Sequence, residues 1–251
     1  MSLFGNLFSK KNPEPDYPSI QDFSTVGVDM HSHLIPGIDD GVKTISESVE
    51  MIRAFAALGY RKLITTPHIM SDYYRNSPEI ILEGLETVKA AVKAEGITIE
   101  LDAAAEYYLD EMLIPKIKSG QILTFGSNYL LFEISYVNPP DNIMNAVFEM
   151  NIAGYIPVLA HPERYPFWYE KFNEFEKLKE AGVLLQLNVN SLTGYYGPGA
   201  KLYAEKFINA GMIDFIGSDL HGQRHLEALQ KVVHDKTLHK LLHQGIKNNL
   251  L

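Results

Sequence analysis

From residue 25 onward, short apolar runs rich in β-branched residues alternate with longer stretches of helical hydrophobic periodicity. Seven such runs predict strands, over residues 26–30, 62–66, 97–103, 129–135, 155–160, 183–189 and 213–218. The helices between them carry readable ends. Thr44 with Glu47 three residues on makes a capping box, and Ser77 before Pro78 supplies an N-cap followed by proline at the first helical position. Gly59, Gly96 and Gly182 stand where helices should stop, the last of them after Trp168, and the final helices should run from about Glu227 to the end. Repeated βα units without an antiparallel hairpin signal predict a parallel sheet covered by helices, either closed as a barrel or open and doubly wound. Periodicity does not separate the two. In a barrel, however, the C-terminal ends of all strands converge on one mouth, whereas in an open sheet they spread along a line.

The chemistry-bearing residues sit at those strand ends. "VDMHSHLIPGIDDG" places His31 and His33 after the first strand; in extended chain both point to one side, roughly 6.5 to 7 Å apart, within reach of one metal ion or two adjacent ones. His68 ends "TTPH" past the second run, Glu106 lies in "AAAEYY" past the third, and Glu133 sits inside the apolar fourth, "LLFEIS". "VLAHPER" brings His161 and Arg164 to the end of the fifth, and "FIGSDLHG" brings Asp219 and His221 to the end of the seventh. Singly, each has a plain structural reading: Glu133 as a satisfied core carboxylate, His68 as a helix cap, Asp219 as an N-cap. Together they do not. Buried carboxylates in one place repel unless cations lie between them, and imidazole with carboxylate but no thiolate suits manganese, iron or zinc, and magnesium less well. "PGIDDG" is also a good turn, so one of Asp39 and Asp40 reads as a ligand and the other as structural. His225, His234, His239 and His243 lie in the polar C-terminal helical region and read as surface residues.

Composition narrows the picture further. The 251 residues, 46% hydrophobic and 21% charged, suffice for a sizeable core. A formal charge of -9 with no basic stripe argues against a nucleic-acid partner, though acidic side chains gathered around metal ions would leave a phosphorylated substrate acceptable. The absence of cysteine removes disulfides, thiolate zinc sites and thiol nucleophiles. No stretch has the length of a membrane span, and the first residues lack a signal peptide's apolar centre, so a cytoplasmic location is expected. Residues 1–24 read as an N-terminal tether ahead of one domain over 25–251. Within it, Leu3, Phe4, Leu7 and Phe8 before Lys10 and Lys11 outline an amphipathic turn, and 12–18 is proline-containing linker.

The ordered set "DMHSHLIPGIDDG", "TTPHIMSDYYRN", "AAAEYYLD", "LLFEIS", "LAHPERY" and "SDLHG" resembles the PHP superfamily (polymerase and histidinol phosphatase). Within that superfamily it is most similar to the CpsB/YwqE-type bacterial protein-tyrosine phosphatases of capsule and exopolysaccharide operons, from about Val26 to Gly222. The resemblance implies a distorted (β/α)7 TIM-like barrel. It also implies three divalent metal ions, manganese first, held by His31, His33, Asp40, His68, Glu106, Glu133, His161, Asp219 and His221, with Glu106 bridging and Asp39 left to the turn. Arg164 corresponds to the phosphate-binding arginine of the family's H-P-E-R segment and, with Glu106 and His161, makes the catalytic set. Many relatives carry a second arginine some residues after the final D-x-H; here Arg224, which stands closer than that pattern, is the residue the resemblance implies for substrate binding beside Arg164.

The chemistry so implied is hydrolysis of phosphotyrosine by a metal-activated hydroxide, with no covalent intermediate, which accounts for the missing cysteine. The implied partner is a tyrosine-phosphorylated protein, a bacterial tyrosine autokinase governing capsule or exopolysaccharide synthesis. A small phosphoester hydrolase such as a histidinol-phosphate phosphatase, and a non-catalytic metal-containing barrel, are the competing readings. Tyr73, Tyr74, Tyr107, Tyr108, Tyr195 and Tyr196 fall near the mouth, where they either flank an aromatic ester or pack the loops; Arg75 reads as a surface residue.

Overall fold

The computed structural model describes residues 17–251. The amphipathic N-terminal turn and most of the expected linker lie outside the described residues. In chain order the elements are β1 (Val28–Asp29), α1 (Ile45–Ala57), β2 (Lys62–Thr65), β3 (His68–Ile69), α2 (Pro78–Ala94), β4 (Glu100–Ala103), β5 (Glu106–Tyr108) and α3 (Leu113–Ser119). There follow β6 (Tyr129–Glu133), α4 (Ile143–Ile152), β7 (Ile156–Ala160), α5 (Asn173–Glu180), β8 (Leu184–Asn188), α6 (Pro198–Asn209), β9 (Phe215–Gly217), α7 (Gln223–Val232) and α8 (Lys236–Gln244).

The helix ends follow the local chemistry. Thr44 and Glu47 form the reciprocal capping box, and Ser77 accepts from the Ile80 amide ahead of α2. α1, α2 and α5 end just before Gly59, Gly96 and Gly182, each with positive φ. The C-terminal helical region differs from expectation. It starts at Gln223 rather than near Glu227, and it divides in two because the Asp235 carboxylate accepts from the Thr237 amide and caps a fresh helix.

All seven expected strands form, and all their ladders are parallel. β1, β2 and β4 make one sheet; β3, β5, β6, β7, β8 and β9 make the other. β3 and β5 prolong β2 and β4 beyond short gaps, the first containing Pro67, which has no amide to offer a ladder. The two sheets are joined at their edges. The Thr66 amide donates to the Ser32 carbonyl (2.7 Å), the Asp219 amide to the His31 carbonyl (2.8 Å) and the His33 amide to the Leu220 carbonyl (2.9 Å). The first strand's extension is thus bonded both to the second and to the last.

Both strand faces are buried, as expected for parallel strands under helices. Alternation splits the residues: Leu130, Phe132, Leu159, Leu185 and Leu187 pack against the helices, while Leu131, Val158, Ala160 and Leu184 join an inner cluster with Val28, Met30, Ile64 and Phe215. Along β8 the inner column runs from Leu184 to Gln186 to Asn188, apolar at the start and polar at the C-terminal end. Beneath the inner cluster, the turn Asn248–Leu250 closes the opposite end. Buried Asn248 donates to the carbonyls of Val28 (2.9 Å) and Ile216 (2.7 Å) and accepts from the Ile216 amide (2.9 Å).

Asn248→Ala leaves those backbone groups without partners, so thermal unfolding is expected to show a loss of about 1–3 kcal/mol with divalent-ion binding intact. An unchanged melting temperature would mean that the C-terminal turn does not close the fold.

Candidate metal centre and its pocket

Glu106 sits at the start of β5 with no exposed surface. Its Oε2 lies 3.2 Å from His31 Nε2, 3.6 Å from His33 Nε2 and 3.1 Å from His68 Nδ1, and its Oε1 lies 3.1 Å from His161 Nε2. On one side Asp219 Oδ1 approaches His31, His33 and His221 at 3.3, 3.4 and 3.4 Å. On the other, Glu133 Oε1 is 3.4 Å from His68 Nδ1, while Asp40 Oδ1 is 3.4 Å from both His68 Nε2 and His221 Nε2. All nine residues that the resemblance named as ligands therefore meet in one place. Donor atoms of eight of them form three overlapping sets, each within 4.8 Å: His33, Asp40, His68 and His221; His31, His33, Glu106 and Asp219; His68, Glu106 and Glu133; His161 joins through Glu106 Oε1.

The imidazoles are aimed from behind. His33 Nδ1 donates to Asp39 Oδ2 (2.8 Å), which also accepts from the His68 amide (3.1 Å), while Asp39 Oδ1 takes the Gly41 amide (2.9 Å). Asp39 is thus an orienting residue as well as a turn residue. The turn needs glycine at 41, since a Cβ there would stand 2.3 Å from the His33 carbonyl oxygen. His31 Nδ1 donates to Gln186 Oε1 (2.8 Å), whose amide nitrogen donates to the Leu187 carbonyl (2.7 Å) and so fixes the amide's orientation. Each of these contacts holds a proton on Nδ1 and turns Nε2 of the ring toward the carboxylates, where it can bind a cation once its own proton is given up. His31 Nε2, His33 Nε2, His68 Nδ1 and Glu106 Oε2 are buried with no hydrogen-bond partner. Orphaned donors of nitrogen and carboxylate type, facing one another, fit divalent transition-metal ions.

The electrostatics reflect crowding. Burial opposes a charge on His31 and His68, yet neighbouring Glu106 together with Asp219 or Glu133 raises them to about 9 and about 10. Burial and the Glu106 charge push Glu133 up to about 8. Burial and the Arg164 cation push His161 down to about 4. His161 and Asp219 both hold positive φ, +35° and +50°, which turns their side chains back toward the cage at some backbone cost.

Above the cage opens a cavity of about 620 Å³ whose walls include Tyr74, Tyr108, Tyr136, Val137, Tyr196 and Arg164. Arg164 ends the 3-10 turn Pro162–Arg164, and its Nη1 donates to Asp219 Oδ2 at 2.7 Å. The turn is held by buried Glu163, which accepts from Ser191 Oγ (2.6 Å) and the Asn188 amide (3.1 Å).

Several expectations change. Arg224 is exposed on α7 and is not among the residues lining the cavity. His225 is a wall residue, not a surface one: its Nδ1 accepts from the His221 amide (3.1 Å). His239 is buried and donates to the Val233 carbonyl (2.8 Å), because α8 presses that face against the core. Among the tyrosines, Tyr74, Tyr108 and Tyr196 line the cavity; Tyr73 is 78% exposed, and the Tyr107 hydroxyl turns away to accept from the Leu123 amide. Arg75 is exposed, as expected. Tyr136, Gln186 and Asn188 were not expected at the site. The last two show a signal in retrospect, as polar residues of one parity in the apolar run "LLQLN".

A family model described as capsular polysaccharide synthesis, CpsB/CapC, matches residues 27–245. The tyrosine-protein phosphatase YwqE of Bacillus subtilis is 29% identical over 195 residues, covering 77% of each chain. The tyrosine-protein phosphatase CpsB of Streptococcus pneumoniae is 25% identical over 205 residues, covering 77% of this chain and 82% of its own. A solved structure from work on YwqE and CpsB, described as unique metal-dependent tyrosine phosphatases, superposes with a TM-score of 0.75 at 28% identity, over 82% of this chain and 85% of that one. An amidohydrolase from Mycoplasma synoviae, at 13% identity and TM-score 0.51 over 90% and 84% of the two chains, shares the fold alone.

Metal-free His31 and His68, raised to about 9 and 10, are protonated at pH 7, and a divalent ion needs the bare nitrogen. Manganese binding at pH 7 should therefore release protons, measurable by titration calorimetry in buffers of differing ionisation enthalpy, and affinity should fall as pH falls. By linkage, the same raised values contribute stability to the metal-free protein that is full below the ordinary imidazole range and lost as pH rises through about 9 to 10. Binding without proton release would show that these rings do not ligate.

Proposed function

The chain belongs to the CpsB/CapC family, and from that membership we propose that it is a metal-dependent phosphatase of tyrosine-phosphorylated proteins in capsule or exopolysaccharide synthesis. The observation that carries this reading is the set of buried, unpartnered imidazole and carboxylate donors converging on Glu106 beneath an arginine in a tyrosine-lined cavity. His31, His33, Asp40, His68, Glu106, Glu133, His161, Asp219 and His221 would hold three divalent ions, manganese first. When bound, such ions neutralise phosphate charge and activate water as a nucleophile at neutral pH. The ladders and the bonds from His31 and His33 to Asp219 and Leu220 support a single distorted barrel of seven βα units, which brings every strand end to one mouth.

The chain's own groups then have separable tasks. Arg164 presents its guanidinium to the phosphoryl oxygens and stabilises charge gathering on them. Asp39 and Gln186 hold His33 and His31 in the tautomer that offers Nε2 inward. Glu106 links the donor sets, and Tyr74, Tyr108, Tyr136 and Tyr196 give an aryl ester an apolar wall while shutting out water. With no cysteine, no thiol-linked phosphoenzyme forms. The phosphatase domain takes in residues 25–251, although packing already begins at fully buried Phe23. Among the described residues no helix is long and apolar enough to cross a membrane, which suits an enzyme meeting the cytoplasmic tail of a tyrosine autokinase.

Hydrolysis of a phosphotyrosyl peptide is expected to exceed that of histidinol phosphate and to vanish on chelation. His31→Ala should lose metal by elemental analysis, whereas Arg164→Ala should keep it and lose roughly 100-fold or more in kcat/KM. Preference for the alkyl ester by orders of magnitude would reassign the substrate to small phosphoesters. Intact metal without turnover on either substrate would leave a binding barrel.

A further inference from the structure

Arg164 leaves its turn between two tyrosine rings. The guanidinium carbon lies 4.1 Å from the centroid of Tyr196 and 4.7 Å from that of Tyr136. Each ring is fixed independently. The Tyr196 hydroxyl accepts from Asn188 Nδ2 (2.9 Å), while the Tyr136 hydroxyl donates to Glu133 Oε2 (3.1 Å) and its ring stacks on Tyr165 with centroids 5.7 Å apart. Asn188 also donates to Asp219 Oδ2 (3.0 Å), the oxygen that takes Arg164 Nη1 (2.7 Å). Neither tyrosine belongs to the donor sets of the cage.

Two π faces attract the cation and also confine it. An arginine free in a cavity must give up the freedom of its long side chain when it takes a phosphate, and that loss is subtracted from affinity. A guanidinium already held against two rings and by Asp219 gives up little, and its remaining N–H groups stay available to a phosphate. A lysine, lacking the planar group, would gain less from the same rings.

We infer that Tyr136 and Tyr196 are positioning residues that hold Arg164 as a preformed donor for a phosphate group, setting phosphate affinity without governing metal loading. The assignment rests on the phosphatase reading above.

Tyr196→Leu is the sharpest probe, since Tyr136 touches Glu133. With manganese-loaded protein, its Kd for inorganic phosphate by calorimetry, and its KM for an aryl phosphate, should rise about tenfold. Metal content should stay unchanged and kcat should move much less. Tyr196→Phe, which keeps the ring and drops only the hydroxyl, should recover most of the loss. A readout independent of turnover is the Nε–H resonance of Arg164 in protein labelled with 15N-arginine, assigned by its absence in Arg164→Lys. Ring currents should displace it upfield in the parent protein, and Tyr196→Leu or Tyr136→Leu should return it toward the ordinary arginine position. An undisplaced resonance, equal phosphate binding in Tyr196→Leu and the parent, or equal losses in the Leu and Phe variants would overturn the assignment. Weakened phosphate binding in Tyr196→Leu of a protein without turnover would uphold the clamp and sink the phosphatase reading instead.

Discussion

A fully buried carboxylate facing four imidazoles is the constraint on which the rest of the structure depends. Glu106 has no exposed surface, and Glu133 and Asp219 bring further acidic groups into the same space. In a dry interior such charges cost several kcal/mol apiece unless cations answer them. Without metal the protein answers with protons. Against the cost of burial, Glu106 and Asp219 drive His31 up to about 9, whereas burial and the Arg164 cation drive His161 down to about 4 although it too faces Glu106. One cage therefore holds both protonated and neutral rings, an arrangement suited to exchanging protons for divalent ions.

The surrounding fold is shaped to keep that cage in register. Parallel strands deliver their C-terminal ends to one side, and the inner column of β8 changes from Leu184 to Gln186 and Asn188 just where polar support is required. Close approach is bought with small residues. A Cβ at Gly217 would stand 2.6 Å from the His31 Cβ, and one at Gly41 2.4 Å from the His33 Cβ. Positive φ at His161 and Asp219 places strain at the ends of β7 and β9, where packing on both faces can hold it. The Arg164–Asp219 contact ties the cage to the wall of the cavity, so that His31 and Arg164 share one carboxylate.

Much of this was legible because local chemistry and global fold agree. The β-branched runs, the Thr44 capping box and the glycines after α1, α2 and α5 each announce their element without tertiary help. The convergence of the candidate residues was legible for a different reason: imidazoles and carboxylates at successive strand ends point to a shared role with cations, and the resemblance supplied the choice of Asp40 over Asp39. What escaped depends on three-dimensional neighbours. Tyr136 follows Glu133 by three residues in an irregular segment, and no spacing marks it as the ring beneath Arg164. Gln186 hides in an apolar strand, betrayed only by its parity. His225 was grouped with surface histidines, although a position four residues after His221 puts it on the same side of a helical start. Arg224, the candidate for the relatives' second arginine, is exposed to solvent.

The account turns on whether the nine converging side chains are ligands. Anomalous diffraction from crystals grown with manganese, collected on both sides of the metal's absorption edge, tests this directly. Manganese-specific density is expected between Glu106 and the rings of His31, His33, His68 and His161, within bonding distance of the ring nitrogens that face that carboxylate. Crystals that bind manganese elsewhere, or leave these imidazoles and carboxylates hydrogen-bonded to one another at full manganese concentration, would contradict it.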